Sequence, residues 1–290
     1  MITYLKSIKL LNLDEEYNLI CAKKNIHNNL YPCKIFPEKE LEKIIFDPIT
    51  IFYGGNGSGK TTLLNIVSSK LNAEKKNDNK KGELYDDYIS KLSDFELSSN
   101  GLKDIKFISS DDVFDYILDL RAINDDVVRR KELLKDEYYE TKYKNNYAEN
   151  QITDYEELKN KVDARRYTVS KYIRTKLGNN TILEKSNGES ALEFWQNEIK
   201  ESSVYLLDEP ENSLSAENQI KLALYIEESA RFYDCQFIIA THSPFFLSLK
   251  DAKIYDIDSA PVITKKWTDL ENMKVYFNFF QKYKDEFKEK

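Results

Sequence analysis

The sequence is poor in the residues that staple or break a chain, with 3 cysteines, 6 prolines and 8 glycines among 290 residues. Cys21, Cys33 and Cys235 are odd in number and show no paired metal-type spacing, and His27 between the first two completes no zinc pattern. A disulfide framework is thereby excluded, and a reducing compartment is expected. No run approaches about 18 uninterrupted apolar residues, and no charged-then-apolar segment opens the chain. A soluble, cytoplasmic protein follows as the expectation. A general excess of positive charge is also missing: the formal net charge is −7. That argues against a basic coat for nucleic acid, although a local basic groove is compatible with it. Helix-turn-helix, zinc and catalytic-triad patterns are absent, as is any repeat of solenoid or propeller period. What is present is apolar and aromatic: 41% hydrophobic residues, with 20 tyrosines and 15 phenylalanines, ample for a packed core. Charged residues make up 32%, which suits a well-solvated globular surface.

The few glycines are not spread evenly. Gly54, Gly55, Gly57 and Gly59 crowd into the stretch Gly54-Gly55-Asn56-Gly57-Ser58-Gly59-Lys60-Thr61-Thr62. The apolar run Ile49 to Tyr53 precedes it and Leu63-Leu64-Asn65-Ile66-Val67 follows. This is G-x-x-x-x-G-K-[ST] between a strand-like and a helix-like segment, the context a phosphate-binding loop requires. Without Cβ atoms the loop can turn its N–H groups around an oxyanion, and the next helix points its positive end at the same group. Lys60 would then reach the β- and γ-phosphates, and the Thr61 hydroxyl would ligate Mg²⁺. An accidental Gly-rich turn is the bland alternative, and the strand–loop–helix context disfavours it.

Read in order, residues 1–22 alternate apolar and polar, which predicts an antiparallel pair turning at Asn12 to Glu16. Residues 23–48, punctuated by Pro32, Pro37 and Pro48, predict loops with one short helix from Glu38 to Ile45. Tyr31 or Phe36 is an adenine-stacking candidate there, against the plainer reading of core aromatics. A helix is expected over Thr61 to Leu71, a solvated loop over Asn72 to Gly82, and a strand at Ile105 to Ile108. Residues 83–100 are ambiguous. Ser109 to Asp112 can cap a helix beginning at Val113. From about Asn124 to Thr175 mixed charge with Tyr and Leu at helical spacing predicts two or three helices, broken near Asn145 to Thr153. The default for such interleaved charge is a solvated face; a nucleic-acid or partner surface using Arg129, Arg130, Arg165 and Arg166 is the alternative. Helices at Ser190 to Lys200 and Ala216 to Phe232 alternate with buried strands at Val204 to Leu207 and Gln236 to Ala240. Lys253 to Ile257 and Val262 to Lys265 read as an edge hairpin, and Leu270 to Phe287 as a closing amphipathic helix. The fold class expected is α/β, with parallel central strands, antiparallel N-terminal strands and a helical insertion at about 113–185 within a single domain over 1–290.

Two strand ends carry further chemistry. Asp208 follows an apolar strand, where a Mg²⁺-organising carboxylate sits in phosphate-loop NTPases, at the crevice beyond the carboxyl ends of parallel strands. Glu209, beside it, is the candidate general base or water-orienting group. His242 stands just past the second buried strand, placed to meet a γ-phosphate. A strand end entering a turn and a lone structural histidine are the bland alternatives.

Together these residues resemble the ATP-binding-cassette superfamily. Gly54 to Thr61, Ser186-Asn187-Gly188-Glu189-Ser190, Leu206-Leu207-Asp208-Glu209-Pro210, Ser213-Leu214-Ser215 and Thr241-His242-Ser243 match, in order, its Walker A, signature, Walker B with catalytic glutamate, D-loop and histidine switch. The chain is most similar to stand-alone bacterial AAA- or cassette-type ATPases without a fused transmembrane domain, and distantly similar to SMC and recombination-repair ATPases. The resemblance implies ATP and Mg²⁺, and an ATP-dependent homodimer in which Ser186 and Gly188 contact the nucleotide held by the other copy. The catalytic set it implies is Lys60, Glu209 and His242, with Thr61 and Asp208 for the metal. The signature departs from the transporter form Leu-Ser-Gly-Gly-Gln, and Ser109-Ser110-Asp111-Asp112 stands where a Q-loop glutamine is expected. Only about 70 residues separate Asp112 from Ser186, too few for the long coiled-coil arm of the SMC proteins.

Three functional readings follow. The first is an ATPase that closes on ATP as a nucleotide-sandwich dimer and acts on an effector protein or nucleic acid, in nucleic-acid maintenance or phage defence. The second is the energising subunit of a membrane transporter, which the Q-loop departure weakens. The third is a sensor working with an effector encoded elsewhere. A phosphate-loop kinase would leave the signature, D-loop and switch histidine as coincidences.

Overall fold

The computed structural model describes residues 1–23, 30–76, 82–143, 159, 162–163, 166–177, 187–212 and 214–287. The chain divides into two compact units, Met1–Phe114 with Asn187–Lys290, and Asp115–Ser186.

The first unit is built on a six-stranded sheet. Its strands are β3 (Ile49–Tyr53), β5 (Asp104–Ser109), β6 (Ser203–Asp208), β7 (Gln236–Thr241), β8 (Lys253–Asp256) and β9 (Ile263–Thr264). The order is β5-β6-β7-β3-β8-β9, parallel throughout except for β9, which runs antiparallel to β8. All residues of β3 and β7 are buried, as are all but the last of β6. Burial on both faces accounts for their continuous apolar runs, since a parallel sheet is covered on both sides. Helices α2 (Lys60–Lys70) and α7 (Ala216–Phe232) follow β3 and β6, and α6 (Asn187–Glu198) precedes β6. The short helix α8 (Pro244–Leu247) leaves β7.

A second, antiparallel sheet has the order β2-β1-β4, from β1 (Leu5–Lys9), β2 (Lys43–Ile45) and β4 (Ser93–Leu97). Gln236, fully buried at the start of β7, ties the two sheets together. Its Oε1 accepts from the N–H groups of Tyr4 and Leu5 at 2.9 and 2.8 Å, and its Nε2 donates to the Leu5 carbonyl at 2.9 Å and the Asp47 carbonyl at 3.2 Å.

The N-terminal expectation needs correction. Residues 13–21 do not form the return strand of a hairpin; they form helix α1 (Leu13–Cys21). Asn12 Oδ1 accepts from the Glu15 N–H and Glu15 Oε2 accepts from the Asn12 N–H, both at 2.9 Å. This reciprocal cap, with Asp14, Glu15 and Glu16 all in the first turn, outweighs the apparent alternation of Tyr17, Leu19 and Cys21. Likewise Glu38 to Ile45 is a 3₁₀ turn at Pro37–Lys39, ended by Glu40 at φ +51°, and then β2, in which Ile44 alone faces the core. The ambiguous residues resolve into α3 (Glu83–Lys91) and β4. The closing helix α9 (Glu271–Lys282) buries Met273, whereas Val275, Phe277, Phe279 and Phe280 are exposed.

In the second unit, α4 (Ser110–Tyr143) supplies its residues from Asp115 onward, and α5 (Val169–Leu177) follows. Tyr138 and Tyr172 form a buried edge-to-face pair with ring centres 5.4 Å apart. Glu137 accepts from the Tyr172 hydroxyl at 3.0 Å and from Lys176 Nζ at 2.7 Å. The break expected near Asn145 to Thr153 and Arg165 lie outside the described residues. Arg129 pairs with Asp126 at 3.5 Å on the exposed face of α4.

Candidate nucleotide-binding site

Three neighbouring strands end in one row. Tyr53, the last residue of β3, lies opposite Thr241 of β7, and Ala240 lies opposite Asp208, the last residue of β6. Adjacent strands are about 4.8 Å apart. The loop after β3, His242 after β7 and the Asp208–Glu209 pair after β6 therefore share one edge of the sheet. Because β7 lies between the other two strands, His242 follows a strand end flanked by those that lead to the loop and to the two carboxylates.

The loop is shaped by its glycines and held from outside. A Cβ on Gly54 would stand 2.6 Å from Ser58 Oγ and 2.9 Å from its Cβ, so a side chain there would unmake the turn. Gly59, at φ +104°, closes the loop directly before Lys60 opens α2. Lys39 Nζ donates to the carbonyls of Ser58 and Ile257, each at 2.7 Å. Asp258 Oδ2 accepts from the Gly55 N–H at 2.7 Å. Asn56 and Gly57, at the tip, are exposed.

Lys60 is buried, and its ammonium donates to the carbonyls of Gly54 at 2.8 Å and Gly55 at 2.9 Å. The next residue faces the carboxylates: Thr61 Oγ1 donates to Asp208 Oδ1 at 3.0 Å. Burial pushes the Asp208 carboxyl up to about 6; the Thr61 hydrogen bond and the Lys60 charge oppose that, while Glu209 and Glu211 reinforce it.

Glu209 adopts φ +49°, the left-handed region that a non-glycine residue enters at a cost of about 1–3 kcal/mol. Its N–H donates to the Ala240 carbonyl at 2.9 Å, and its Oε2 accepts from Asn212 Nδ2 at 3.1 Å. Glu211, 6% exposed, turns to the other strand end: its Oε1 accepts from the His242 N–H at 3.0 Å and stands 3.1 Å from His242 Nδ1. The His242 side chain is itself about half exposed. Gln219 of α7 closes the ring, accepting from Ser243 Oγ at 2.7 Å and donating to the Leu214 carbonyl at 3.0 Å.

This arrangement suits a nucleotide and its Mg²⁺. Ser58 Oγ is buried with no hydrogen-bond partner among the described residues, inside a cradle that a Cβ at Gly54 would fill. Thr61 and Asp208 bring a hydroxyl and a desolvated carboxylate together, the oxygen donors that Mg²⁺ takes alongside phosphates.

Other expectations fare differently. Ser186 and Ser213 lie outside the described residues, and Gly188 is in the first turn of α6. Phe36 is fully buried beneath Gly59 and presents no face for adenine, whereas Tyr31 is half-buried and stacks one face on Tyr85 with centres 5.7 Å apart. Asp112 is a helix cap: its Oδ2 accepts from the Ser109 N–H and hydroxyl, each at 2.8 Å. Three residues escaped sequence reasoning. Glu211 had a signal, as the third acid of Asp208-Glu209-Pro210-Glu211, whereas Asp258 and Lys39 are joined to the loop only by the fold.

A parallel α/β sheet, a phosphate-type loop after one strand, an acidic pair after another and a histidine after the strand between them are the parts of a P-loop NTPase. The chain belongs to the family described as "AAA domain, putative AbiEii toxin, Type IV TA system", whose profile matches residues 67–248. Among curated proteins no sequence matches it. Similar solved structures include "an inward-facing conformation of a putative metal-chelate type ABC transporter", at 14% identity over 95% of this chain and 90% of that one, TM-score 0.39. The Smc head domain of Pyrococcus furiosus, crystallised with the C-terminal domain of ScpA, is 13% identical over 82% of this chain and 94% of its own, TM-score 0.39. The SMC head domain of Thermotoga maritima is 11% identical over 91% and 99%, TM-score 0.33. No helix among the described residues is long and apolar enough to cross a membrane.

Proposed function

We propose that the chain is an ATPase, converting ATP and water to ADP and phosphate, that closes as a nucleotide-sandwich dimer and transmits that closure to a partner. The shared strand-end row of Lys60-Thr61, Asp208-Glu209 and His242, with Thr61 and Asp208 3.0 Å apart, is the observation that carries the reading. In it, residues 1–290 are one ATPase domain with a helical insertion at about 113–185.

Each residue has one task. The N–H groups of Gly57 to Thr61 and the amino end of α2 hold the β- and γ-phosphates. Lys60 exchanges the Gly54 and Gly55 carbonyls for phosphate oxygens. Thr61 and Asp208 would hold Mg²⁺, which when bound neutralises phosphate charge and orients the γ-phosphate. Glu209 takes the proton of the attacking water, and His242 contacts the γ-phosphate. Ser186 and Gly188 of a second copy complete the site from the far side. The family description names a putative toxin of a type IV toxin–antitoxin system and no membrane component, which favours a protein partner over membrane domains.

Lys60→Ala is expected to abolish ATP binding. Glu209→Gln is expected to bind ATP and accumulate as a dimer seen by light scattering. One oligomeric state of the Gln variant with and without ATP would contradict the sandwich.

A further inference from the structure

Glu211 is a buried carboxylate that the tasks above leave unused, and its surroundings are uneven. Oε1 accepts the His242 backbone N–H at 3.0 Å and faces Nδ1 of the same residue at 3.1 Å. Oε2 is buried with no hydrogen-bond partner among the described residues. A carboxylate kept out of water and satisfied on one oxygen is costly, and a packing role alone would be served better by a neutral side chain. Its negative charge also raises the pKa of Asp208, a further cost at the site. What the charged oxygen does accomplish is specific to one ring. A carboxylate oxygen 3.1 Å from Nδ1 favours, by its charge, a proton on that nitrogen, and Nε2 lies on the opposite edge of the imidazole.

We infer that Glu211 is a positioning residue: it fixes the rotation of the His242 imidazole, holds the proton on Nδ1 and thereby presents Nε2 to the γ-phosphate. When Nε2 also carries a proton, the carboxylate is the counter-charge of the ring. This is the orienting role that a third group plays toward a base in catalytic triads, here placed behind a phosphate-contacting histidine. The loop that carries Glu211 is itself braced. The Asn212 N–H donates to the Glu209 carbonyl and the Leu214 N–H to the Glu211 carbonyl, each at 3.1 Å, while Gln219 bridges this loop to Ser243. Glu209 and His242 are thereby wired into one unit across β6 and β7. The purpose of the device rests on the ATPase reading; its geometry does not.

The chain's two histidines make the test direct. In a His27→Gln background, the ¹⁵N-labelled full chain has one imidazole, and long-range ¹H–¹⁵N correlation followed over a pH series reads which nitrogen bears the proton of the neutral ring. The parent is expected to show a protonated Nδ1 and a bare Nε2. Glu211→Ala should transfer the proton to Nε2, and Glu211→Gln, whose amide oxygen still accepts, should leave it on Nδ1. A parent ring protonated at Nε2 overturns the inference, as does a folded Ala variant with Nδ1 still protonated. Should the Ala variant not fold, the parent and Gln tautomers decide. In ATPase assays Glu211→Ala is expected to lower kcat about 10–100-fold with KM for ATP little changed, and Glu211→Gln to recover most of it. An inactive parent would contradict the ATPase reading and leave the tautomer result standing.

Discussion

Asp208 carries two opposed demands, one of stability and one of charge. The folded protein keeps its proton up to about pH 6, against the ordinary value of 3.8, because burial disfavours the carboxylate. Between those values the folded state binds more protons than the unfolded chain, so stability falls as pH rises through about 6, and the penalty is complete above it. Asp208→Asn keeps an acceptor for Thr61 and removes the titration. Without nucleotide or Mg²⁺, urea unfolding should show this variant about 1–3 kcal/mol more stable at pH 8 and no more stable than the parent below pH 4. An equal difference at both pH values would refute this account of the carboxylate. Gly54→Ala tests the cradle at the same scale. Its Cβ would stand 2.6 Å from Ser58 Oγ, so ATP affinity should fall at least about tenfold by calorimetry while the far-UV spectrum is retained. The loop, Asp208, Glu209 and His242 were legible because their types and order are local signals. Glu211 stood out only as a third acid beside them, with no sign of its partner across two strands, and Asp258 left no signal, because its partner lies some 200 residues away.

At the scale of elements, the buried strands were the easiest to read and the N-terminal segment the hardest. Val204 to Leu207 and Gln236 to Ala240 have apolar runs too short for helices and bounded by turn residues, and both are central strands. Tyr17, Leu19 and Cys21 imitate strand alternation, yet Tyr17 and Cys21 are exposed, and the Asn12–Glu15 cap decides for helix. Asn12→Ala should cost about 1 kcal/mol of stability. Gln236 is the more consequential position. Replacing it with Leu leaves the Tyr4 and Leu5 N–H groups buried without acceptors, and chemical denaturation should report a loss of about 2–4 kcal/mol. A near-neutral effect would mean that the antiparallel sheet does not depend on this link.

For the whole molecule, the strand-end row supplies every proposed contact except one. That one is the signature contact: Gly188 is in the first turn of α6, and the sandwich reading assigns it, with Ser186, to the nucleotide of a second copy. Each dimer would then hold two sites, each built from the loop of one chain and the signature of the other. The most direct measurement is complementation of ATPase activity between Lys60→Ala and Gly188→Asp. Each variant alone has two defective sites and should be inactive. In an equal mixture the mixed dimers concentrate both defects in one site and leave the other intact, so about one quarter of the parent activity should return, rising with protein concentration. A mixture no more active than its separate components, from variants shown to be folded, would contradict a site shared between two copies.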